Sequence, residues 1–218
     1  MPHRIDTDAD IAAGLAALTA ADPRFARLAE IAGPLPLRRR PGGFAGLASI
    51  VVSQQLSTAS AAAIWGRLST AFDPLHHDAV RRARTARLQR IGLSASKIRT
   101  LKAIAKAIDA GAIDFAALDA MAADAAHAML TATHGIGPWT ADIYLLACVG
   151  HADAWPAGDL ALQEAARIAF ALAARPRVAD MIALAEPWRP WRGVAARLLW
   201  SYYRAVKGRD AAPVQPTA

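Results

Sequence analysis

Thr131-Ala-Thr-His-Gly-Ile-Gly-Pro-Trp-Thr-Ala-Asp142 is the stretch whose reading decides how the rest of the chain folds. Two glycines around Ile136 allow a tight turn, because glycine enters the positive-φ region at no steric cost and lets another group approach the backbone closely. Pro138 suits the first position of a helix, where its missing N–H would be unpaired in any case. The helix after it opens with unpaired backbone N–H groups and the positive end of its dipole, a site for an anion and most often for a phosphate. A second helical pattern, Asp124 to Ala132, runs up to the turn from the other side, which makes a helix–hairpin–helix. An ordinary corner between two helices with a glycine C-cap is the competing reading. A lone acid comes next in Pro156-Ala-Gly-Asp-Leu160. A surface that only grips a polyanion has no use for a carboxylate, so Asp159 points to chemistry. A plain helix N-cap, which aspartate favours, is the alternative for this residue.

Working outward, helical patterns run almost throughout. Thr7-Asp8-Ala9-Asp10 is a capped start leading through Ile11, Leu15 and Leu18. Asp22-Pro23 opens a second short helix with Phe25 and Leu28 inward. Gly33 to Gly43 is a proline-rich loop carrying Arg38, Arg39 and Arg40. Phe44 to Gln55 is apolar at helical spacing, and Ser57 caps the next helix, on which Ala61, Ile64, Trp65 and Leu68 share a face. Asp78 to Arg90 gives one or two short basic helices, and Ser94 caps a helix over Lys97 to Ala110. Asp114 to Met121, Pro138 to Val149, Asp159 to Ala173, Arg177 to Ala185 and Trp191 to Lys207 complete the set. No run of alternating apolar residues bounded by hairpin turns appears, so the expected class is all-α. The tail from Gly208 to Ala218 is expected to be disordered.

Apolar residues make up 55% of the 218 and charged residues 20%, a composition that excludes an intrinsically disordered chain. Lys and Arg total 25 against 18 Asp and Glu, and the net charge of +7 favours polyanionic partners. Arg38-Arg39-Arg40, Arg81-Arg82, Lys97, Arg99 and Lys102 could meet phosphates or form a solvated face. The single cysteine, Cys148, excludes an intrachain disulfide and a cysteine-built zinc or iron–sulfur site. His76-His77 is joined by no carboxylate or cysteine constellation, so no catalytic metal is expected. The N-terminus lacks an apolar signal core, and the longest apolar run, Ile143 to Gly150, is too short for a bilayer. A soluble cytoplasmic protein with no membrane role is the expectation.

At Gly135-Ile136-Gly137-Pro138-Trp139-Thr140-Ala141 the sequence resembles the helix–hairpin–helix (HhH-GPD) DNA glycosylase superfamily. That family's signature is Leu-Pro-Gly-(Ile/Val)-Gly-x-x-Thr-Ala followed some twenty residues on by a catalytic aspartate, here Asp159. Trp139, the segment Gln54-Gln55-Leu56-Ser57, the late Trp188-Arg-Pro-Trp-Arg192 and Gly92-Leu-Ser-Ala-Ser-Lys97 make it most similar to the 3-methyladenine DNA glycosylase II branch. The resemblance runs from about Phe44 to Tyr203. Thr133-His134 stands where the family has Leu-Pro, and Gly158 precedes the aspartate. Some members carry an N-terminal β-domain. The 43 residues before Phe44 read as helical, so a compact form without it is implied.

The resemblance implies one helical glycosylase domain over residues 1–207, with two helical subdomains flanking a cleft: about 44–150, and 1–43 plus 151–207. It implies a monofunctional enzyme of base excision repair that hydrolyses the N-glycosidic bond of alkylated purines such as 3-methyladenine and 7-methylguanine. Trp139 stands where strand-cutting relatives have a Schiff-base lysine, and an indole cannot be that nucleophile. The implied partner is double-stranded DNA with damaged bases, bound by a monomer at the nucleoid. By family position Asp159 is catalytic, Trp139 and Trp191 stack on the base, and Tyr144 borders the pocket, although aromatics at helical spacing are usually core. Trp65, Trp155, Trp188, Trp200 and Tyr202 are expected in the core. His134, Gly135, Ile136, Gly137 and Thr140 hold the strand, as does Lys97. Gln55 is the wedge that fills the vacated stack, with Leu56 next and Gln54 and Ser57 beside it. The carbonyls of Ala132, His134 and Ile136 are candidates for a monovalent cation, and no other cofactor or iron–sulfur cluster is expected. Two alternatives stay open: a glycosylase of the same fold for oxidised or mismatched bases, and a helix–hairpin–helix module that only grips DNA.

Overall fold

The computed structural model describes residues 3–208. In chain order its helices are α1 (Asp8–Ala21), α2 (Arg24–Ala32), α3 (Gly43–Ser53), α4 (Thr58–Ala71), α5 (His77–Arg82), α6 (Thr85–Ile91) and α7 (Ala95–Asp109). They continue with α8 (Phe115–Ala120), α9 (Ala123–Thr131), α10 (Pro138–Tyr144), α11 (Leu160–Ala169), α12 (Val178–Ala185) and α13 (Arg192–Lys207). Among the described residues there is no β-strand. A single bridge joins Arg4 to His151. The all-α expectation holds.

Helix starts obey local chemistry. Thr7 accepts from Asp10 N–H while the Asp10 carboxylate accepts from Thr7 N–H, a reciprocal cap on α1. Ser57, Ser94 and Asp114 cap α4, α7 and α8 through their side-chain oxygens. Gly208 ends α13 in the left-handed conformation. The rest of the tail expected to be disordered lies outside the described residues.

The described residues pack into two compact units, one from residues 3–39 and 145–208, the other from residues 40–144. In the first unit α13 is the central helix and touches α1, α2 and α11. It is buried from Arg192 to Tyr202, as a helix enclosed by others must be. Trp188 stands edge-on to Phe25 at 5.0 Å and to Trp155 at 5.6 Å, favourable aromatic geometry. In the second unit α3 is the enclosed helix, with Leu47, Ile50, Val51 and Val52 shut away from solvent against α4, α7 and α10.

Several expectations change. The helix expected over Phe44 to Gln55 stops at Ser53, because Gln54 turns extended (ψ 132°) and Gln55 takes φ +56°. The helix from Asp159 ends at Ala169 rather than Ala173, since Ala171 sits at φ +51°. Trp65 and Ile64 are half-buried, leaving Ala61 and Leu68 as the buried residues of α4. The helix expected over Pro138 to Val149 widens into a π-helical turn at Leu145–Val149. Its carbonyls are drawn to side chains: Leu146 O accepts from Arg197 Nη2 at 3.2 Å, and Ala147 O accepts from Arg39 Nη1 at 3.1 Å. Burial pushes the Arg197 guanidinium down to about 10, and the nearby Arg39 and Arg38 charges push the same way.

The loop of residues 151–159, which ends on Asp159, docks in the first unit on the start of α13, where Gly193 N–H donates to Ala152 O at 2.7 Å. A Cβ on Gly193 would meet that carbonyl at 2.8 Å and Leu146 at 2.7 Å. Arg192 donates from Nε to Asp153 Oδ1 (2.7 Å) and from Nη2 to Asp153 Oδ2 (3.0 Å) and the Asp153 carbonyl (2.9 Å). Arg189 adds a 2.6 Å contact to Oδ2. Arg192→Leu leaves this buried carboxylate short of its main partner and is expected to cost about 3 kcal/mol in urea unfolding. A loss below about 1 kcal/mol would show that the pair does not hold the loop.

Candidate functional site

In the second unit, α9 and α10 are joined by a turn that closes with Ile136 N–H on Thr133 O at 3.0 Å. It closes without the Leu-Pro of the resembled family. Gly135 sits at φ +86°, and a Cβ there would run into Thr100 of α7, 2.8 Å from its Cγ2. Gly137 differs: its φ is not positive and a Cβ would meet nothing within 4 Å. Neither backbone conformation nor internal packing asks for glycine at 137. Ile136 is buried, while His134, Gly135 and Gly137 are exposed. Trp139 is exposed.

Thr140, expected to touch a bound strand, is 2% exposed, and its hydroxyl accepts from Gln54 Nε2 at 2.7 Å. Its side chain belongs to the interior. Tyr144, expected to border a base pocket, is also core: its hydroxyl accepts from Gly43 N–H at 2.9 Å and its ring packs on Phe115. The helical period that places aromatics inward does not say which of them reaches a cavity.

His127 of α9 braces the hairpin. Burial pushes its imidazole below the usual 6.5, while the Asp124 carboxylate and a hydrogen bond to the Pro138 backbone pull the other way. Asp142 Oδ1 lies 3.8 Å from Nε2, too far for a hydrogen bond.

Gln54 to Ser57 forms the other candidate element of this unit. Gln55 has φ +56° and is exposed, and Leu56 is 38% exposed. A left-handed non-glycine residue costs about 1–2 kcal/mol, and such strain gathers at functional sites. Ser57 is spent on its cap. Lys97 donates from Nζ to Val52 O at 2.8 Å, and burial pushes its ammonium down. A hollow of about 370 Å³ lies here, lined by Gln54, Gln55, Leu56, Ser94, Ser96, Lys97 and Thr100.

In the first unit Asp159 caps α11. It is 7% exposed, and its Oδ1 accepts from Leu162 N–H at 2.8 Å. The turn before it is fixed by Asp159 N–H on Pro156 O and by Gln163 Nε2 on Ala157 O, both 2.9 Å. The same Oδ1 lies 3.3 Å from the indole Nε1 of Trp200. Trp200 reads from sequence as a core residue only. It is buried, and its contact with Asp159 spans 41 positions, so no local pattern could reveal it. Trp155, Trp188 and Tyr202 are core as expected. Trp191, expected to stack on a base, is half-buried and already packed by Gly14 and by His3, whose ring centroid lies 4.8 Å away.

Among the described residues no group of three or more His, Cys, Asp or Glu could hold a metal ion. His76 and His77 stack on each other at 4.1 Å. No helix of the described residues is long and apolar enough to cross a membrane.

Residues 48–190 match the HhH-GPD superfamily of base excision DNA repair proteins, and the chain belongs to that superfamily. A Mycobacterium tuberculosis protein named as a probable bifunctional transcriptional activator/DNA repair enzyme AlkA is 34% identical over 210 residues. The match covers 90% of this chain and 40% of the relative, so the chain spans about two fifths of that relative's length. The Schizosaccharomyces pombe 3-methyladenine DNA glycosylase in complex with abasic DNA superposes with a TM-score of 0.77 at 26% identity, over 92% of this chain and 99% of that one. A DNA-3-methyladenine glycosidase from Bacillus halodurans gives 0.79 at 28% identity, over 94% and 92%.

The two glycines should separate in stability. Gly135→Ala is expected to lose about 2 kcal/mol in thermal or urea unfolding, and Gly137→Ala to stay within about 0.5 kcal/mol of the parent. Equal losses would mean that the hairpin packs differently. The hairpin histidine should be visible in pH dependence. The folded imidazole binds its proton less readily than the unfolded one. Its contribution is therefore present above pH 6.5 and lost as pH falls below it. His77, lowered by burial and by His76, contributes with the same sign. His127→Asn should flatten the fall in unfolding free energy between about pH 7 and 5, and an unchanged slope would remove His127 from this role.

Proposed function

We propose that this protein is a monofunctional DNA glycosylase that hydrolyses the bond between deoxyribose and an alkylated purine such as 3-methyladenine or 7-methylguanine. The end-to-end overlay with two proteins named for that activity carries the reading. Backbone N–H groups around Gly135 and Gly137 hold a phosphate of the strand, which explains a glycine that internal packing does not require. The target base leaves the stack, and Gln55, poised at the tip of its turn with Leu56 beside it, fills the gap. A methylated purine carries positive charge and is drawn to the indole face of Trp139.

Cleavage breaks the bond from C1′ to the base nitrogen. The electron pair leaves with the purine, which departs neutral, and positive charge develops on the sugar. The Asp159 carboxylate stabilises that charge, its plane set by Leu162 N–H and Trp200 Nε1. Water adds to C1′ and gives its proton to the carboxylate or to solvent, leaving an abasic site. With an indole at 139 in place of a lysine, no Schiff base forms and the strand stays intact. The carbonyls of Thr133 and Gly137 are already engaged by Ile136 and Ala141. Those of Ala132, His134 and Ile136 suit a monovalent cation that would help hold the phosphate. The same reading has the enzyme acting as a monomer in the cytoplasm, at the nucleoid, on double-stranded DNA.

The test is base release under single-turnover conditions from duplexes containing 7-methylguanine, 3-methyladenine or 8-oxoguanine. Release of the alkylated bases is expected, and Asp159→Asn should slow it about 10²–10³-fold. Equal rates for parent and variant would overturn the catalytic assignment. Release of 8-oxoguanine alone would favour a glycosylase for oxidised bases. Binding with no product from any duplex would leave a module that only grips DNA.

A further inference from the structure

Gln54 and Thr140 belong to the two elements that the proposed reaction brings to DNA, the wedge turn and the hairpin helix. The structure turns them toward each other instead. Gln54 Nε2 donates to Thr140 Oγ1 at 2.7 Å, a short bond, and Thr140 is 2% exposed. The adjacent Gln55 sits in the left-handed region, a conformation that persists only when its surroundings impose it. Two fastenings impose it here. Lys97 Nζ holds Val52 O, just before the end of α3, a favourable place for a cation at a helix C-terminus. The Gln54 amide then ties the next stretch of chain to α10. Helix α7 closes the circuit, because it carries both Lys97 and Thr100, and Thr100 lies directly against Gly135 of the hairpin. The wedge turn, α7 and the hairpin are therefore braced pairwise.

We infer that Gln54 and Thr140 are a positioning pair. They touch each other rather than DNA, and they transmit the hairpin's hold on the strand into the placement of Gln55. This rests on the proposed roles of the hairpin as a strand grip and of Gln55 as the wedge. A pair that acts as one strut has a signature that two separate DNA contacts lack: once either half is gone, losing the other changes little.

The experiment compares Gln54→Leu, Thr140→Val and the double variant. Single-turnover release from 7-methylguanine DNA is one readout. A second is the brightening of 2-aminopurine placed beside the lesion, which reports unstacking without chemistry. The third is affinity for a duplex with a stable abasic-site analogue. Each single variant should slow release and unstacking about ten-fold, and the double should be no slower than the slower single. Affinity for the abasic duplex should stay within about two-fold, since no base has to leave the stack there. Thr140→Ser, which keeps the hydroxyl, should restore the parent rate, and it serves as the second variant if valine disturbs folding. Multiplying losses, or losses confined to affinity, would overturn the pair and return both residues to direct contact. If the parent protein released no alkylated base, the proposed function would fall, and the 2-aminopurine signal would still decide the strut.

Discussion

The buried pair of Arg192 and Asp153 is the contact on which the loop leading to Asp159 in the first unit depends. Taking two charges out of water costs several kcal/mol each, and only near-ideal geometry offsets it. That geometry is present: one guanidinium reaches both carboxylate oxygens and the Asp153 carbonyl. Three bonds from one rigid planar group also fix register, because shifting the loop by a residue would break all of them. From Asp153 onward the chain stays fastened, by Trp155 Nε1 on Met181 O at 3.0 Å and then by the turn that closes on Pro156 O. Asp159 sits at the end of this series. Its place is inherited from an ion pair at the other end of the loop.

The hairpin is held differently, by shape. Gly135 is glycine for an internal reason, a left-handed backbone pressed against Thr100, whereas neither conformation nor packing demands glycine at 137. The two residues look alike in the sequence. They divide the turn into a part that must fit α7 and a part that packing leaves open. The same helix therefore sets both the hairpin and, through Lys97, the turn that carries Gln55.

What can be read from the sequence is what is local. Caps at Thr7, Ser57, Ser94 and Asp159 are legible because a cap is made by a side chain and the backbone two or three residues on. The glycine turn and the helix after it are legible for the same reason. The π-turn is not, because the arginines that draw off its carbonyls come from positions 39 and 197. Helical spacing puts Thr140 and Tyr144 on the right helix without showing that their hydroxyls are spent on Gln54 and Gly43. Nor does any local signal tell Gln55 to adopt a positive φ. That choice is made by contacts on either side of it.

Two readings of Asp159 compete in the sequence, a cap and a reacting group, and one arrangement can serve both. A cap alone is served as well by asparagine or serine. What the acid adds is a carboxylate, buried to 7% exposure, where such a group is costly unless it is hydrogen-bonded. The helix N-terminus offsets part of that cost, and the Trp200 indole adds a donor from a different helix. Both donors converge on Oδ1. A carboxylate held through one oxygen from two directions has a fixed plane, so capping α11 also aims the group. The capping bond therefore serves the proposed chemistry instead of competing with it.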